Sequence, residues 1–345
     1  MRSKVGETTL EQIASEALAL AGGGRALLLQ IAHPAVGRGV VEHSDFATRA
    51  MDRFHGTMMF VYAAAFGTPE EYAEARRRVN QAHAPVHAPA SEGQPAYSAY
   101  DVSLQLWVAA TLHHTMIDLH ECVFGPLCPA EREQVYQQIR SRDRMLQAHP
   151  DVWPRDSAAF DAYWAESLGS LRVSDGARAV ARQLLSPSDV PAWLRPALPA
   201  TRLLTTGLLP ADVRRQFGLP WDARRERRFQ RQLRWIASVY PLLPTRLRHR
   251  PRDLFLRRLR ESMANASNTS TPPTPEADRV HSGSAGSGER AESTGSGDST
   301  GAMSGDGNRN AGDTASGSPP DTDAETGTGT GTSRLGTSGS LRPER

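Results

Sequence analysis

The chain has 345 residues and a formal net charge of +2, a length that would suit two soluble domains of about 150 residues each. That average hides two unlike parts. Residues 266–345 contain no Phe, Trp, Tyr or Ile and hold 11 acidic residues against 6 arginines, which leaves residues 1–265 with 27 acidic and 34 basic residues. A segment so poor in apolar side chains cannot bury enough surface to offset the entropy of ordering its backbone. We therefore predict a disordered tail over residues 266–345 and a folded part over residues 1–265.

The composition also narrows the classes of function. Lys4 is the only lysine, and so uniform a use of arginine indicates genome composition rather than phosphate recognition. The arginines are spread over several predicted helices, with the densest run at residues 224–228, so we do not predict nucleic-acid binding. Cys122 and Cys128 are too few for a disulfide scaffold and fit a reducing compartment. The longest apolar stretch covers nine residues, 58–66, against roughly 20 needed to span a bilayer. We expect a cytoplasmic protein without a signal sequence.

Helical patterns cover almost all of residues 1–265, and their ends carry recognisable signals. In chain order we predict a helix from Thr8 or Thr9 to Gly22-Gly23-Gly24, a short apolar helix over 25–32 broken at His33-Pro34, a helix from Ser44 to Gly67, a helix from Thr68-Pro69-Glu70-Glu71 to about Ala84, a Pro/Gly/Ser loop over 88–97, a long helix from Ser98 or Asp101 to Gly125, a helix from Cys128-Pro129 to about Ala148, and helices near 156–169, 174–185, 200–216, 222–239 and 251–263.

The pattern contains no alternating strand signal and no internal repeat. We therefore predict an all-α fold, in which residues 1–265 form a single multi-helix domain. A domain of this size is large enough to enclose a cofactor.

The histidines are concentrated in one part of the chain. Eight of the eleven fall within the apolar residues 33–120, namely His33, His43, His55, His83, His87, His113, His114 and His120. Neutral imidazole is a versatile metal and haem-iron ligand, although any single histidine can equally cap a helix or satisfy a core hydrogen bond. His83 and His87 have helical i, i+4 spacing, but Ala84 stands where a zinc hydrolase carries glutamate, and Pro85 interrupts the helix.

A second candidate group lies on the helix before His83. Arg53 and Thr57 have i, i+4 spacing with Gly56 between them, and an apolar run follows. An arginine in such a helix should pair with an anion, either a carboxylate or a cofactor propionate. Gly56 would let a flat ligand approach the backbone, at a cost of about 1 kcal/mol relative to Ala. Surface pairing of Arg53 with Asp52 or Glu42, and a helix–helix contact at Gly56, are the structural alternatives.

Several motifs together resemble one enzyme family. The segment Leu27 to Val40, with His33-Pro34 at its centre, is followed by Glu42-His43-Ser44-Asp45-Phe46, Arg53-x-x-x-Thr57, Phe66-Gly67-Thr68-Pro69-Glu70-Glu71, Arg78-Val79-x-x-x-His83-x-x-Val86, Leu106-Trp107-Val108-x-Ala110-Thr111-Leu112 and Gly125-Pro126-Leu127-x-Pro129-x-Glu131-Arg132. In order and spacing these resemble the oxygenases related to the fungal mycophenolate-pathway oxygenase MpaB and to the bacterial rubber oxygenases. The likeness is weaker from there to about residue 260.

The resemblance implies an all-α fold around a non-covalent haem b, with His83 as the axial ligand of the iron and Arg53 and Thr57 on the distal side. His33 and His43 match family motif residues, and Trp107 would line the haem envelope with Met58, Val61, Val108 and Leu112. Two positions depart from the family: Gly56 replaces a lysine of the rubber-cleaving members, and Ala109 replaces a frequent histidine. These departures argue against polyisoprene as the substrate.

We accordingly expect a haem-dependent oxidoreductase of the oxygenase type, acting with dioxygen on an apolar, unsaturated small molecule and supplied by an electron donor. A non-catalytic haem- or lipid-binding helical protein is the alternative, because a fold does not fix a function. An arginine-rich nucleic-acid partner is the third interpretation.

Overall fold

The computed structural model describes residues 8–43, 46–142, 146, 150–187 and 192–269. Within them the chain is almost entirely helical, which confirms the predicted all-α class. The predicted tail lies outside these residues except for 266–269, through which the last helix continues. The predicted cap Ser44 also lies outside them.

Fourteen α-helices and one pair of short strands follow one another along the described residues. In chain order they are α1 Leu10–Ser15, α2 Leu18–Ala32, α3 Pro34–His43, α4 Phe46–Phe66, α5 Pro69–His83, β1 His87–Ala88, β2 Tyr97–Ser98, α6 Val102–Phe124, α7 Pro129–Arg140, α8 Ser157–Ser170, α9 Asp175–Leu185, α10 Leu198–Leu208, α11 Ala211–Gln216, α12 Ala223–Val239, α13 Thr245–Arg248 and α14 Arg250–Thr269, with 3₁₀ turns at Pro150–Val152, Ala192–Ala197 and Tyr240–Leu242.

Helices α2 and α6 pack against each other at the centre of the fold. The largest apolar cluster joins buried residues of both, including Leu28, Leu29 and Trp107, with residues of α7, α8 and α9. A second cluster joins α4 to α14 through Met58, Tyr62 and Phe255. The core therefore surrounds the α2–α6 pair, and α14 packs against α4 and α5.

The prediction that Gly22-Gly23-Gly24 ends the first helix is wrong. The break comes earlier, at Glu16-Ala17, and α2 runs through all three glycines. A Cβ on Gly22 would lie 2.5 Å from Thr115 Cγ2, and one on Gly24 would lie 2.7 Å from Thr205 Oγ1. These two glycines permit the close approach of α6 and α10 to α2, a tertiary requirement that overrides their low helix propensity.

The signals around α5 and α6 are confirmed. Thr68 caps α5 in a reciprocal capping box with Glu71, and Pro69 occupies the first helical position. Asp101 caps α6 by accepting from the backbone N–H groups of Ser103 and Leu104. Helix α5 ends at His83.

Three other boundaries differ from the prediction. Helix α7 ends at Arg140, short of the expected Ala148. The single helix expected over 200–216 is two helices, because the chain becomes extended at Leu209-Pro210, where proline disfavours a helical residue before it. The loop over 88–97 begins and ends in a two-stranded antiparallel sheet that pairs His87 with Ser98.

None of the helices in the described residues has both the length and the apolar character needed to cross a membrane.

Candidate active site

His83 lies at the end of α5, within reach of the charge of Arg53 on α4. Burial lowers the pKa of the imidazole below its usual value, and the Arg53 guanidinium lowers it further. His83 Nδ1 is buried and has no hydrogen-bond partner among the described residues. His83 is partly buried, and its lowered pKa favours the neutral imidazole, which is the form of histidine that binds metals.

Gly56 and Thr57 lie on the same helix as Arg53, one turn further on. Thr57 is exposed, and Gly56 is partly buried. A Cβ on Gly56 would have nothing within 4 Å. The alternative that Gly56 makes a tight helix–helix contact is therefore wrong, and this face of α4 borders open space.

His33 and Trp107 form a second pair, at the turn between α2 and α3. Their ring centroids lie 6.4 Å apart at 39°. Burial lowers the pKa of His33, against the opposing effect of the Asp101 carboxylate. Trp107 is 2% exposed and stacks on Trp164, with centroids 5.4 Å apart. Trp107 thus lies in the main core cluster, where the indole packs against protein side chains.

His43 is exposed at the end of α3 and contacts the ring of Tyr97 edge-on, at 5.8 Å. Its neighbour Glu42 accepts hydrogen bonds from Arg38 Nε and from the Tyr97 hydroxyl, each at 2.7 Å. Glu42 is therefore bound in a network that holds the strand pair against α3. The alternative in which Glu42 is the partner of Arg53 receives no support from these contacts.

A charged cluster that the sequence analysis did not predict joins α2 to α6. Arg25 on α2 is 3% exposed. Arg25 Nη2 lies 2.6 Å from Asp118 Oδ2 and 3.3 Å from His114 Nδ1 on α6. Burial raises the pKa of Asp118, but bonds from His114 and Arg25 outweigh it and leave the pKa below its usual value. The available signal was an arginine within the apolar run of α2.

His114 and its neighbour His113 are both held by aromatic rings. His114 stacks on Trp164 at 4.0 Å, and His113 packs edge-on against Phe160 at 4.9 Å. Burial lowers the pKa of His113 to about 3, with a further effect of the His114 and Arg132 charges. The cavity beside the two histidines measures about 20 Å³, which is enough for a water molecule and too small for an organic substrate. These histidines belong to the core.

His87 lies on β1, beyond the end of α5, so it does not share a helix with His83. The described residues contain no group of three or more His, Cys, Asp and Glu side chains arranged to hold a metal ion. A haem iron needs only one strong axial ligand from the protein, and His83 supplies a suitable group.

The family model described as the catalytic domain of "ER-bound oxygenase mpaB/B'/Rubber oxygenase" matches residues 10–238. The chain belongs to this oxygenase family. The match begins at the first residue of α1 and ends within α12, so it covers all six predicted site residues. The resemblance inferred from the sequence motifs is thereby confirmed, and the chain carries an oxygenase catalytic domain.

Two curated proteins are similar to the chain over most of their own length. They are uncharacterized proteins of Mycobacterium bovis and Mycobacterium tuberculosis, each 34% identical over 229 residues, which is 65% of this chain and 88% of the relative. No solved structure matches the chain.

A haem group fits the residues around His83. The lowered pKa favours the neutral ring, and its Nδ1 is buried without a partner among the described residues, a condition that a bond at that nitrogen would relieve. The Arg53 charge acts on the same site, and guanidinium is a strong partner for a carboxylate such as a propionate. Gly56 contributes no side chain on a face that has room for a ligand.

Proposed function

We propose that the chain is a haem b-dependent oxygenase that acts with dioxygen on an apolar, unsaturated small molecule. The observation that carries the proposal is the desolvated, neutral imidazole of His83 beside the charge of Arg53. Haem supplies the binding and activation of dioxygen, and an electron donor would keep its iron reduced. The group would be held non-covalently, because the sequence contains no C-x-x-C-H attachment site.

In this proposal His83 offers a nitrogen lone pair that protons do not occupy at neutral pH, since burial disfavours the imidazolium form. Arg53 provides a fixed positive charge that pairs with a propionate or with an anionic oxygen species. Thr57, one turn later on α4, offers a hydroxyl donor on the exposed side of the helix. Gly56, on the same helix, has no side chain, and the space next to it is open.

His33, Trp107 and His43 would contribute indirectly. His33 and Trp107 fix the turn between α2 and α3 against the start of α6. His43 lies beside the network that holds the strand pair, and this pair follows directly from α5. Their effect in this proposal is to position His83 and to keep water from the site.

The test is an absorption spectrum of the protein isolated from cells supplied with excess haem precursor. A Soret band is expected, together with oxygen uptake by the reduced protein that increases on addition of a suitable alkene. A Soret band without any alkene-dependent uptake would favour the non-catalytic haem-binding alternative. A colourless protein would contradict the proposal.

A further inference from the structure

Helix α12 has one face made almost entirely of arginine. Its open groove is lined by Arg224, Arg227, Arg228, Arg231 and Arg234, together with Glu226 and Gln230. We call these five arginines and Trp235 the basic face. Arg224, Arg228, Arg231 and Trp235 follow helical i, i+4, i+7, i+11 spacing, which places them on one side of the helix.

The basic face carries five arginines in its groove against one carboxylate, that of Glu226. Arg227, Arg228, Arg231 and Arg234 form no ion pair within the described part of the chain. The two acidic residues of this segment bond to groups other than these four arginines. Glu226 accepts from Trp221 Nε1 at 2.7 Å and from Gln230 Nε2 at 2.8 Å, and Asp222 caps α12.

The most exposed large apolar side chains of the described residues lie at the end of α12 and just beyond it. Trp235 is 65% exposed, Leu242 80% and Leu247 49%, whereas no other large hydrophobic residue described exceeds 41%. Large apolar side chains exposed in and directly after a strongly basic helix indicate an interaction site rather than a solvated face.

The segment that carries the two leucines is anchored at both ends. The Tyr240 hydroxyl donates to Glu16 Oε2 at 2.8 Å, and Arg248 Nη1 donates to Glu16 Oε1 at 2.6 Å. The backbone N–H of Ala17 also bonds to the carbonyl of Arg248 at 2.9 Å. The exposure of Leu242 and Leu247 is therefore built into the fold and does not result from a fraying end.

We propose that the basic face and the segment 240–248 bind the surface of a membrane rich in anionic phospholipid. The unneutralised arginines select a negatively charged partner, since each basic side chain near such a surface contributes about 1 kcal/mol. Tryptophan is favoured at the headgroup level of a bilayer, and leucines gain free energy by entering its apolar edge. A nucleic acid could bind the arginines and stack on Trp235, but it offers nothing to the aliphatic Leu242.

The experiment is vesicle flotation of the full chain, with vesicles of phosphatidylcholine alone or with phosphatidylglycerol added. Binding to the phosphatidylglycerol vesicles is expected, weakening as salt rises. Replacing Arg227, Arg231 and Arg234 with Gln should weaken it by at least about tenfold. The matched control replaces Arg76, Arg182 and Arg258 with Gln, three exposed arginines on other helices. It removes the same net charge but should leave binding unchanged, because these arginines lie outside the basic face.

A second variant tests the apolar part separately. Trp235→Ser with Leu242→Ser should weaken vesicle binding while leaving its salt dependence in place. Equal binding to both kinds of vesicle would overturn the proposal. So would an equal loss of vesicle binding in the triple Arg227, Arg231 and Arg234 variant and in its control. The proposal would also be overturned if the full chain bound a DNA duplex tightly and did not bind the vesicles. Far-ultraviolet circular dichroism of each variant shows that the helices are intact.

Discussion

The imidazole of His83 has a pKa below its usual value because the ring is buried, and the charge of Arg53 on the neighbouring helix lowers it further. The two residues lie 30 positions apart in the sequence, and they are brought together by the antiparallel return of α5 on α4. The short connection at Gly67-Thr68, closed by the Thr68–Glu71 capping box, sets this return. A local helix-start signal thus determines the geometry of the proposed site.

Arg53 and Thr57 should be needed for turnover more than for cofactor binding. Arg53→Ala and Thr57→Val are each expected to lower the rate of oxygen uptake by about 10²-fold, because under the proposed function each removes a donor that would stabilise developing charge. The measurement is oxygen consumption at saturating haem. Arg53→Lys and Thr57→Ser keep the charge and the hydroxyl and should recover part of the rate. Unchanged rates of oxygen uptake in both Arg53→Ala and Thr57→Val would show that these residues have no part in the mechanism.

Gly22 should be intolerant of a side chain. Gly22→Ala is expected to lower the free energy of unfolding by about 1–3 kcal/mol, because the added Cβ would lie within 2.6 Å of Thr115 Cγ2 and Leu119 Cδ1. Gly169→Ala on α8 is the control, since its Cβ would meet nothing within 4 Å, and it should stabilise the helix slightly. Urea denaturation measures both, and equal effects of the two changes would contradict the close packing of α2 on α6.

Glu16 should contribute more to stability than a surface carboxylate. It is 7% exposed and accepts from both Tyr240 and Arg248, so Glu16→Gln should cost about 2–3 kcal/mol by weakening charge-assisted bonds at a buried position. Glu261→Gln is the comparison, because Glu261 and its partner Arg257 are both exposed and such pairs contribute little. A difference of less than about 0.5 kcal/mol between the two variants in urea denaturation would contradict this role.

His113 should make the fold less stable in acid. Its pKa is about 3 in the folded protein, against 6.5 for an ordinary histidine, so between these pH values the unfolded chain binds a proton that the folded chain does not. Stability therefore falls as the pH drops below 6.5, by up to about 1.4 kcal/mol per pH unit.

Urea denaturation at pH 7.5 and 5.0 tests this effect of His113. His113→Leu should show a smaller loss of stability than the parent protein. The slope will not vanish, because burial also lowers the pKa of His33, His83 and His120. Since the His114, Arg132 and Asp118 charges also act on His113, measurements at low and high salt separate burial from those charges. Identical pH slopes in the two proteins would contradict the burial of a neutral His113.

The helix ends that the sequence predicted correctly are those set by local chemistry. Thr68 and Asp101 cap helices through their own side chains, so three or four residues suffice to recognise them. The helix end predicted at Gly22-Gly23-Gly24 was wrong because Gly22 and Gly24 are required by close contacts with Thr115 and Thr205, which lie far along the chain. The strand pair at His87 and Ser98 was missed because two residues per strand are too few for an alternating pattern.

In the candidate site, too, features set by local sequence could be predicted and those set by distant contacts could not. The placement of Arg53 and His83 on two successive helices follows from local helix signals, and it could be predicted. The bond of Arg25 to Asp118 could not, because it joins α2 to α6 across 93 residues of sequence and neither residue type is specific to burial. Trp107 illustrates the remaining difficulty: its motif is local, but its stacking on Trp164 depends on the position of α8.

The most direct test of the central claim is a haem titration of His83→Ala followed at the Soret band. His87→Ala is the matched control, since His87 is exposed and lies four residues further along the chain. The account predicts that the parent protein and His87→Ala bind haem with the same tight, stoichiometric spectrum. His83→Ala should lose the histidine-ligated band, and added imidazole should partly restore it. A spectrum of His83→Ala identical to that of the parent protein would contradict the claim that His83 is the axial ligand.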